Sequence, residues 1–176
     1  MNITNRALIR RVETNDVSAI LQIIGASRRE YGLENRVDSI LEPADHALLE
    51  VYRRERSSYF VAVIDEDIAG GGGIAPLGGA DRKTCELQRM YLSPDYRHLG
   101  IGCALLAACI EEARRYQFES CYAETISEMT TAVSFYERHG FRRLAAPAGR
   151  TGHTHNDVWM MLHIAESYSP RENWSL

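Results

Sequence analysis

"YRHLGIG", residues 96–102, lies between an extended segment and a helical one, and where its glycines fall decides the fold. Upstream, "TCELQRMYLSP" (84–94) reads as a strand stopped by Pro94. Downstream, from Leu99 to about Tyr116, apolar residues recur at helical spacing. Ile101, Leu105, Cys109 and Glu112 form one row; Leu106, Ile110 and Ala113 form the next. A strand, a glycine turn and a helix N-terminus make an anion site, because first-turn amides lack intrahelical acceptors and the helix dipole favours negative charge. Gly100 and Gly102 let the backbone approach a pyrophosphate, and Arg97 adds a charge-assisted contact. On spacing alone, a glycine-softened helix start with nothing bound is an equal reading.

"IAGGGGIAPLGG" (68–79) makes the competing claim. Gly73 and Gly78 have the gap of a P-loop, but Gly79 and Ala80 follow where Lys and Ser/Thr are needed. Gly70, Gly72 and Ala75 loosely match a dinucleotide fingerprint, yet Pro76, Gly78 and Gly79 follow instead of a helix. The run therefore reads as a hairpin strand whose missing side chains permit a bulge or a close backbone approach.

The remaining elements follow from periodicity. "ALIRRVE" (7–13) alternates as a strand, and "DVSAILQII" (16–24) carries Val17, Ile20, Leu21 and Ile24 at helical spacing behind Asn15 or Asp16 as N-cap. A break at Tyr31-Gly32 precedes a helix from about Pro43 to Arg54 bearing Leu48, Leu49 and Tyr52. "SYFVAVID" (58–65) is a strand joined by Asp65-Glu66-Asp67 to the glycine strand. "ESCYAETI" (119–126) is a strand, "MTTAVSFYERHG" (129–140) a helix ended by Gly140, and "FRRLA" (141–145) and "DVWMMLHI" (157–164) are closing strands. The order β-α-α-β-β-β-α-β-α-β-β is an α/β arrangement with an antiparallel start and one β-α-β crossover in the second half.

The 176 residues fit one domain, 1–176, without repeats or a compositional break. A net charge of −4 argues against a general nucleic-acid binder, and no apolar run reaches membrane-span length. The expected setting is cytoplasmic, since "MNITNRALIRR" also lacks the apolar core of a signal peptide. Cys85, Cys103, Cys109 and Cys121 show no CxxC spacing, which argues against a zinc or redox pair.

Three segments in register resemble the GCN5-related N-acetyltransferase (GNAT) family. "CELQRMYLSP" is similar to its splayed central strand, "RHLGIG" to its Arg/Gln-x-x-Gly-x-Gly/Ala loop, and "AVSFYERHGF" to its Ala-x-x-x-Tyr-x-x-x-Gly-Phe helix. The resemblance implies the acyl-CoA N-acyltransferase fold, a mixed, mostly antiparallel sheet with flanking helices, with acetyl-CoA as co-substrate and no metal. It implies that the backbone of Met90, Tyr91 and Leu92 pairs with the pantetheine arm. Amides of Arg97, His98, Leu99, Gly100, Ile101 and Gly102 would hold the pyrophosphate, and Tyr136 would approach the sulfur. Where the family often has Asn, three residues before the helix Ala, this chain has Met129; Thr130 is the available substitute.

Acetylating an amine needs a base for its proton, a donor for the oxyanion and an acid for the departing thiolate. Glu86, at the family's frequent base position, is assigned the first role, with Glu124 in reserve. The Leu92 amide is assigned the second and Tyr136 the third. The acceptor pocket is expected to draw on Tyr31, Arg89, Glu124 and "GHTHND". His153 and His155 share a face if that segment is extended, and Asp157 lies nearby, but no third metal ligand has suitable spacing. Arg89 suits a substrate carboxylate. The expected partners are acetyl-CoA and a small-molecule amine or amino acid, not nucleic acid or membrane. Members of the family are often dimers, so a homodimer is among the implied assemblies. A protein N-acetyltransferase and a non-catalytic acyl-CoA sensor are the alternatives.

Overall fold

In the computed structural model, residues 7–33 and 45–164 are described. In chain order the elements are β1 (Leu8–Arg11), α1 (Val17–Glu30), α2 (Asp45–Tyr52), β2 (Ser58–Ile64), β3 (Asp67–Pro76), β4 (Thr84–Leu92), α3 (Ile101–Arg115), β5 (Ser120–Thr125), α4 (Thr130–Arg138), β6 (Arg142–Arg143) and β7 (Val158–His163). Short 3-10 turns at Thr14–Asp16 and Pro94–Tyr96 lead into α1 and towards α3. The order is the one periodicity predicts. The bounds differ in places: Pro43 lies outside the described residues, and the expected strand at 141–145 shortens to Arg142–Arg143.

The strands form one sheet in the order β1-β2-β3-β4-β5-β7-β6. β4 and β5 are parallel and every other neighbouring pair is antiparallel. The parallel pair needs a crossover, which α3 supplies. β7 inserts between β5 and β6, an exchange of order that no local pattern announces.

Apolar side chains bury on both faces. On one, α3 and α4 cover Cys85, Leu87, Cys121 and Ala123. On the other, α1 and α2 lay Val17, Ile20, Leu48 and Leu49 against Tyr59 and Val61. The two rows read from the sequence of α3 (Ile101, Leu105, Cys109, Glu112; Leu106, Ile110, Ala113) are its seven buried residues. Each fully buried Leu or Ile contributes about 1.5–3 kcal/mol. Glu112 is the one charge among them, and Arg11 and Arg115 partner it.

The glycine run is strand β3, paired on both sides, and not a phosphate loop. A Cβ on Gly71 or Gly73 would stand 2.6 Å from the ring of Tyr59, so these two glycines make the space that the aromatic fills. Gly71 pairs with Tyr91 and Gly73 with Gln88: two steps along β3 match three along β4. The extra residue is a β-bulge, with Arg89 in the left-handed region at φ 50°. The Tyr59 hydroxyl braces it, donating to the Arg89 carbonyl at 2.9 Å. Among the described residues no helix is long and apolar enough to cross a membrane.

Candidate active site

β4 and β5 pair only at Thr84↔Ser120, Cys85↔Cys121 and Glu86↔Tyr122, although β4 runs on to Leu92. Beyond Glu86 the strands part, and the bulge at Arg89 turns β4 further. Met90 and Leu92 consequently face α3, packed with Ile101 and Leu105. The fork exposes one edge of β4 where a linear amide-bearing ligand can take the place of a strand.

At the far end of β4, the 3-10 turn and an αL residue, Gly100 at φ 80°, set the chain into α3. The first intrahelical bond runs from Ala104 N–H to the Gly100 carbonyl at 3.2 Å, so the amides of Ile101, Gly102 and Cys103 precede the ladder. Helix α3 thus begins two residues later than periodicity suggests. His98 is exposed and also left-handed, at φ 62°. Leu99 and Ile101 pack inward and can offer only backbone. A Cβ on Gly102 would touch Leu92 at 3.4 Å and Phe135 at 3.5 Å, so glycine keeps the helix end close to the fork. A pyrophosphate with an extended arm fits this turn and strand edge.

The Arg97 side chain is placed differently from the sequence expectation. Its two terminal nitrogens donate to Glu30 Oε1 and Oε2 at 2.8 and 2.6 Å, and its Nε to the Leu92 carbonyl at 3.3 Å. The guanidinium therefore ties the turn to the end of α1, and Glu30 lies below its usual pKa because of that partner. Tyr31, the residue capping α1, lies near Arg97 on this side of the site.

Glu86 is buried on the α1–α2 face at the fork, 5% exposed. Burial pushes its carboxyl up to about 7, a hydrogen bond from Gln88 Nε2 at 2.7 Å works against this, and the charge of Glu124 adds to it. Gln88 is itself held by the Tyr52 hydroxyl at 3.0 Å. Glu124 lies two residues along β5 from Tyr122, the cross-strand partner of Glu86, so both carboxylates share one face. The Tyr122 hydroxyl donates to Glu124 Oε2 at 2.7 Å.

The segment before β7 turns at residues 154–155 rather than extending, so the shared face expected of its histidines does not form. His153 approaches Glu124, Nδ1 to Oε1 4.0 Å, while His155 is exposed. Asp157, the residue grouped with them from the sequence, instead accepts from Ser127 N–H and Oγ at 2.7 and 2.8 Å.

On the opposite face, Tyr136 of α4 is half-buried between Phe135 and Phe141, ring centroids 5.6 and 5.3 Å away. Burial, and next to it Tyr91, raise its phenol well above the usual tyrosine range, so it stays protonated. Met129 precedes α4, its sulfur 3.4 Å from the donating Thr125 hydroxyl, which explains an apolar residue at that turn; Thr130 is exposed in the first turn.

Sequence reasoning missed Gln88, Tyr52, Tyr59, Tyr122 and Glu30. Period-two alternation was a signal for Gln88 beside Glu86 and for Tyr122 beside Glu124. Nothing local pairs Glu30 with Arg97, 67 residues apart.

Comparison with known proteins agrees with this geometry. The model of the acetyltransferase (GNAT) family matches residues 21–141. The chain is 35% identical over 158 residues to the uncharacterized N-acetyltransferase YjgM of Escherichia coli (strain K12), covering 89% of this chain and 95% of that protein. Its fold is similar to a GNAT-family acetyltransferase of Staphylococcus aureus Mu50, with TM-score 0.78, 20% identity, and 90% and 99% of the two chains covered. It is also similar in fold to yncA, a putative acetyltransferase of Salmonella typhimurium solved with acetyl-CoA, with TM-score 0.73, 21% identity, and 96% and 99% covered. The chain belongs to the GNAT family of acetyltransferases and is an acetyl-CoA-dependent N-acetyltransferase.

Proposed function

We propose that the protein transfers the acetyl group of acetyl-CoA to the primary amine of a small molecule or amino acid by direct attack, with Glu86 as base and Tyr136 as acid. The observation that carries this reading is the placement of the two residues. Both lie by the fork between β4 and β5, but on opposite faces of the sheet. A thioester lying through the fork would meet the amine from the α1–α2 face and release sulfur on the α3–α4 face.

Acetyl-CoA supplies an acyl carbon activated as a thioester. The turn from Arg97 to Gly102 would hold its pyrophosphate, the β4 edge at Met90, Tyr91 and Leu92 its pantetheine arm, and Thr130 an added polar contact. Glu86, poised at about 7, exists partly as carboxylate at neutral pH and accepts the amine's proton as the N–C bond forms. The Leu92 amide donates to the oxygen that gains charge, a contact of a kind worth about 3 kcal/mol. Tyr136 presents its proton to the sulfur. Four free cysteines fit a reducing, cytoplasmic setting for this chemistry.

Arg89 is held at the bulge, and its charge acts on Glu86, Tyr52 and Tyr59. That location suits a guanidinium receiving an acceptor's carboxylate, with Tyr31, His153 and His155 drawn from the rim. Arg89→Ala is expected to raise KM for amino-acid acceptors about tenfold or more and to spare simple alkylamines. Equal effects on both would remove the carboxylate from the proposal.

Thiol release from acetyl-CoA over a panel of amino acids, polyamines, aminoglycosides and peptides tests the reading. Release is expected with one small-molecule group and is expected to fall about 10²-fold in kcat for Tyr136→Phe. Release with peptides alone would replace the small-molecule acceptor by a protein one. Tight binding of acetyl-CoA with no turnover would favour a sensor.

A further inference from the structure

The residue Glu124 is partly exposed, but its side chain is only 5% exposed and is half satisfied. Oε2 receives the Tyr122 hydroxyl, while Oε1 has no hydrogen-bond partner among the described residues. A buried acceptor without a donor is costly, and a ligand that donates to it removes that cost. Glu86, Glu124 and His153 each bring one acceptor atom into a single group in which all lie within 4.8 Å of one another. Glu124 Oε1 and His153 Nδ1 are 4.0 Å apart.

Two kinds of cation have characteristic acceptor spacings. Three acceptors around a tetrahedral nitrogen at about 2.8 Å lie about 4.6 Å apart. Three ligands on Zn²⁺ at about 2.1 Å lie about 3.4 Å apart. The 4.0 Å between Glu124 Oε1 and His153 Nδ1 lies midway between the two, in a group whose atoms are no more than 4.8 Å apart, so the seat admits an ammonium nitrogen and binding of amine against Zn²⁺ separates the two cations.

We infer that Glu124 and His153, together with Glu86, form a three-acceptor seat for a primary ammonium group, in which Glu124 Oε1 is the atom that holds the charge. The inference rests on the acetyl-transfer reading and deepens it. It separates the residue that positions the acceptor, Glu124, from the residue that takes its proton, Glu86. An R–NH₃⁺ group has three N–H donors for three acceptors. An N-methylated amine leaves one acceptor unmet, and a quaternary ammonium leaves all three unmet. His153 accepts through Nδ1 when its proton resides on Nε2.

The seat also sets the pH response. Glu86 is faced by Gln88 and Arg89 from its own strand, by Tyr122 and Glu124 from β5, by Tyr52 from α2 and by His153 from the loop before β7. Removing the Glu124 charge makes Glu86 easier to ionise, so the acidic limb of kcat/KM moves to lower pH.

Glu124→Gln is the test, since the amide oxygen can still accept from Tyr122. Calorimetry on the protein saturated with coenzyme A would use propylammonium, N-methylpropylammonium, tetramethylammonium and Zn²⁺ as probes. Propylammonium is expected to bind the native protein best, tetramethylammonium not at all, and Glu124→Gln to weaken propylammonium about tenfold to a hundredfold. With any amine that is acetylated, the variant is expected to raise KM for the amine by the same factor, to leave KM for acetyl-CoA within about twofold, and to shift the acidic limb down. Acetylation with an unchanged amine KM in Glu124→Gln overturns the seat and leaves the transfer reading standing. Propylammonium binding that depends on Glu124, without transfer to any amine, leaves the seat standing and overturns the transfer reading. Tetramethylammonium bound as well as propylammonium, or micromolar Zn²⁺ bound through Glu124 while propylammonium is not, overturns the seat.

Discussion

Glu86→Gln is expected to lower kcat/KM for amine acetylation by about 10² to 10⁴, the range for loss of a positioned general base. The native profile should rise with pH to a plateau, with an apparent pKa near that of Glu86, about 7. In the variant this limb disappears, because an amide cannot ionise. The same substitution is expected to stabilise the fold at neutral pH and above. Glu86 is raised from 4.5 to about 7 by burial, so the folded state prefers its protonated form. Its favourable contribution is complete below 4.5 and is lost as pH rises to about 7 and beyond, an amount of about 3 kcal/mol at about 1.4 kcal/mol per tenfold. Urea denaturation of both proteins at pH 4.5 and pH 8 measures this directly. The gap should open in favour of the glutamine variant at the higher pH. Equal stabilities at pH 8 would mean that the carboxylate is solvated, and kcat/KM unchanged by the variant would remove Glu86 as the base.

Gly70→Ala is expected to cost about 3 kcal/mol or more, at or above the upper end for over-packing. The added Cβ would stand 2.4 Å from the Tyr91 carbonyl oxygen and 2.9 Å from Leu92 Cα. These are backbone atoms of the adjacent strand and cannot turn aside as a side chain can. Relief requires β4 to move at Tyr91 and Leu92, the stretch assigned to the pantetheine arm, so a variant that still folds should show a raised KM for acetyl-CoA. Gly72→Ala is the contrast. Its Cβ would meet Met90 Cγ at 3.2 Å, the flexible part of a side chain, and the cost should stay within about 1 kcal/mol. Urea midpoints for the pair, with KM for acetyl-CoA, check both. Similar losses at the two positions would mean that missing volume, rather than backbone approach, explains the run.

These two substitutions mark where reading the chain stops. That 68–76 is a strand, and that 96–102 leads into a helix, was legible because each depends on neighbours in sequence: the residues just after the glycines, the position of proline, the apolar rows that recur. The buried set of α3 and the order of the elements are legible for the same reason, since period and turn chemistry are local. Glu86 and Tyr136 were reached through their resemblance to family motifs, not through any environment visible in the chain.

The tertiary structure decided how those elements meet. The insertion of β7 between β5 and β6 is set by long-range pairing. The bulge at Arg89 comes from matching two residues of β3 to three of β4. His153 reaches the two carboxylates because its segment turns, where extension would have aligned it with His155. Arg97 turned to Glu30, a residue on the first helix. By itself the sequence determined which segments become strands, helices and turns, because those choices are made over a few residues. Which side chains share a low-dielectric recess, and therefore which carboxyl is raised and which oxygen is left without a donor, depends on residues distant in sequence becoming neighbours, and only the folded arrangement settles that.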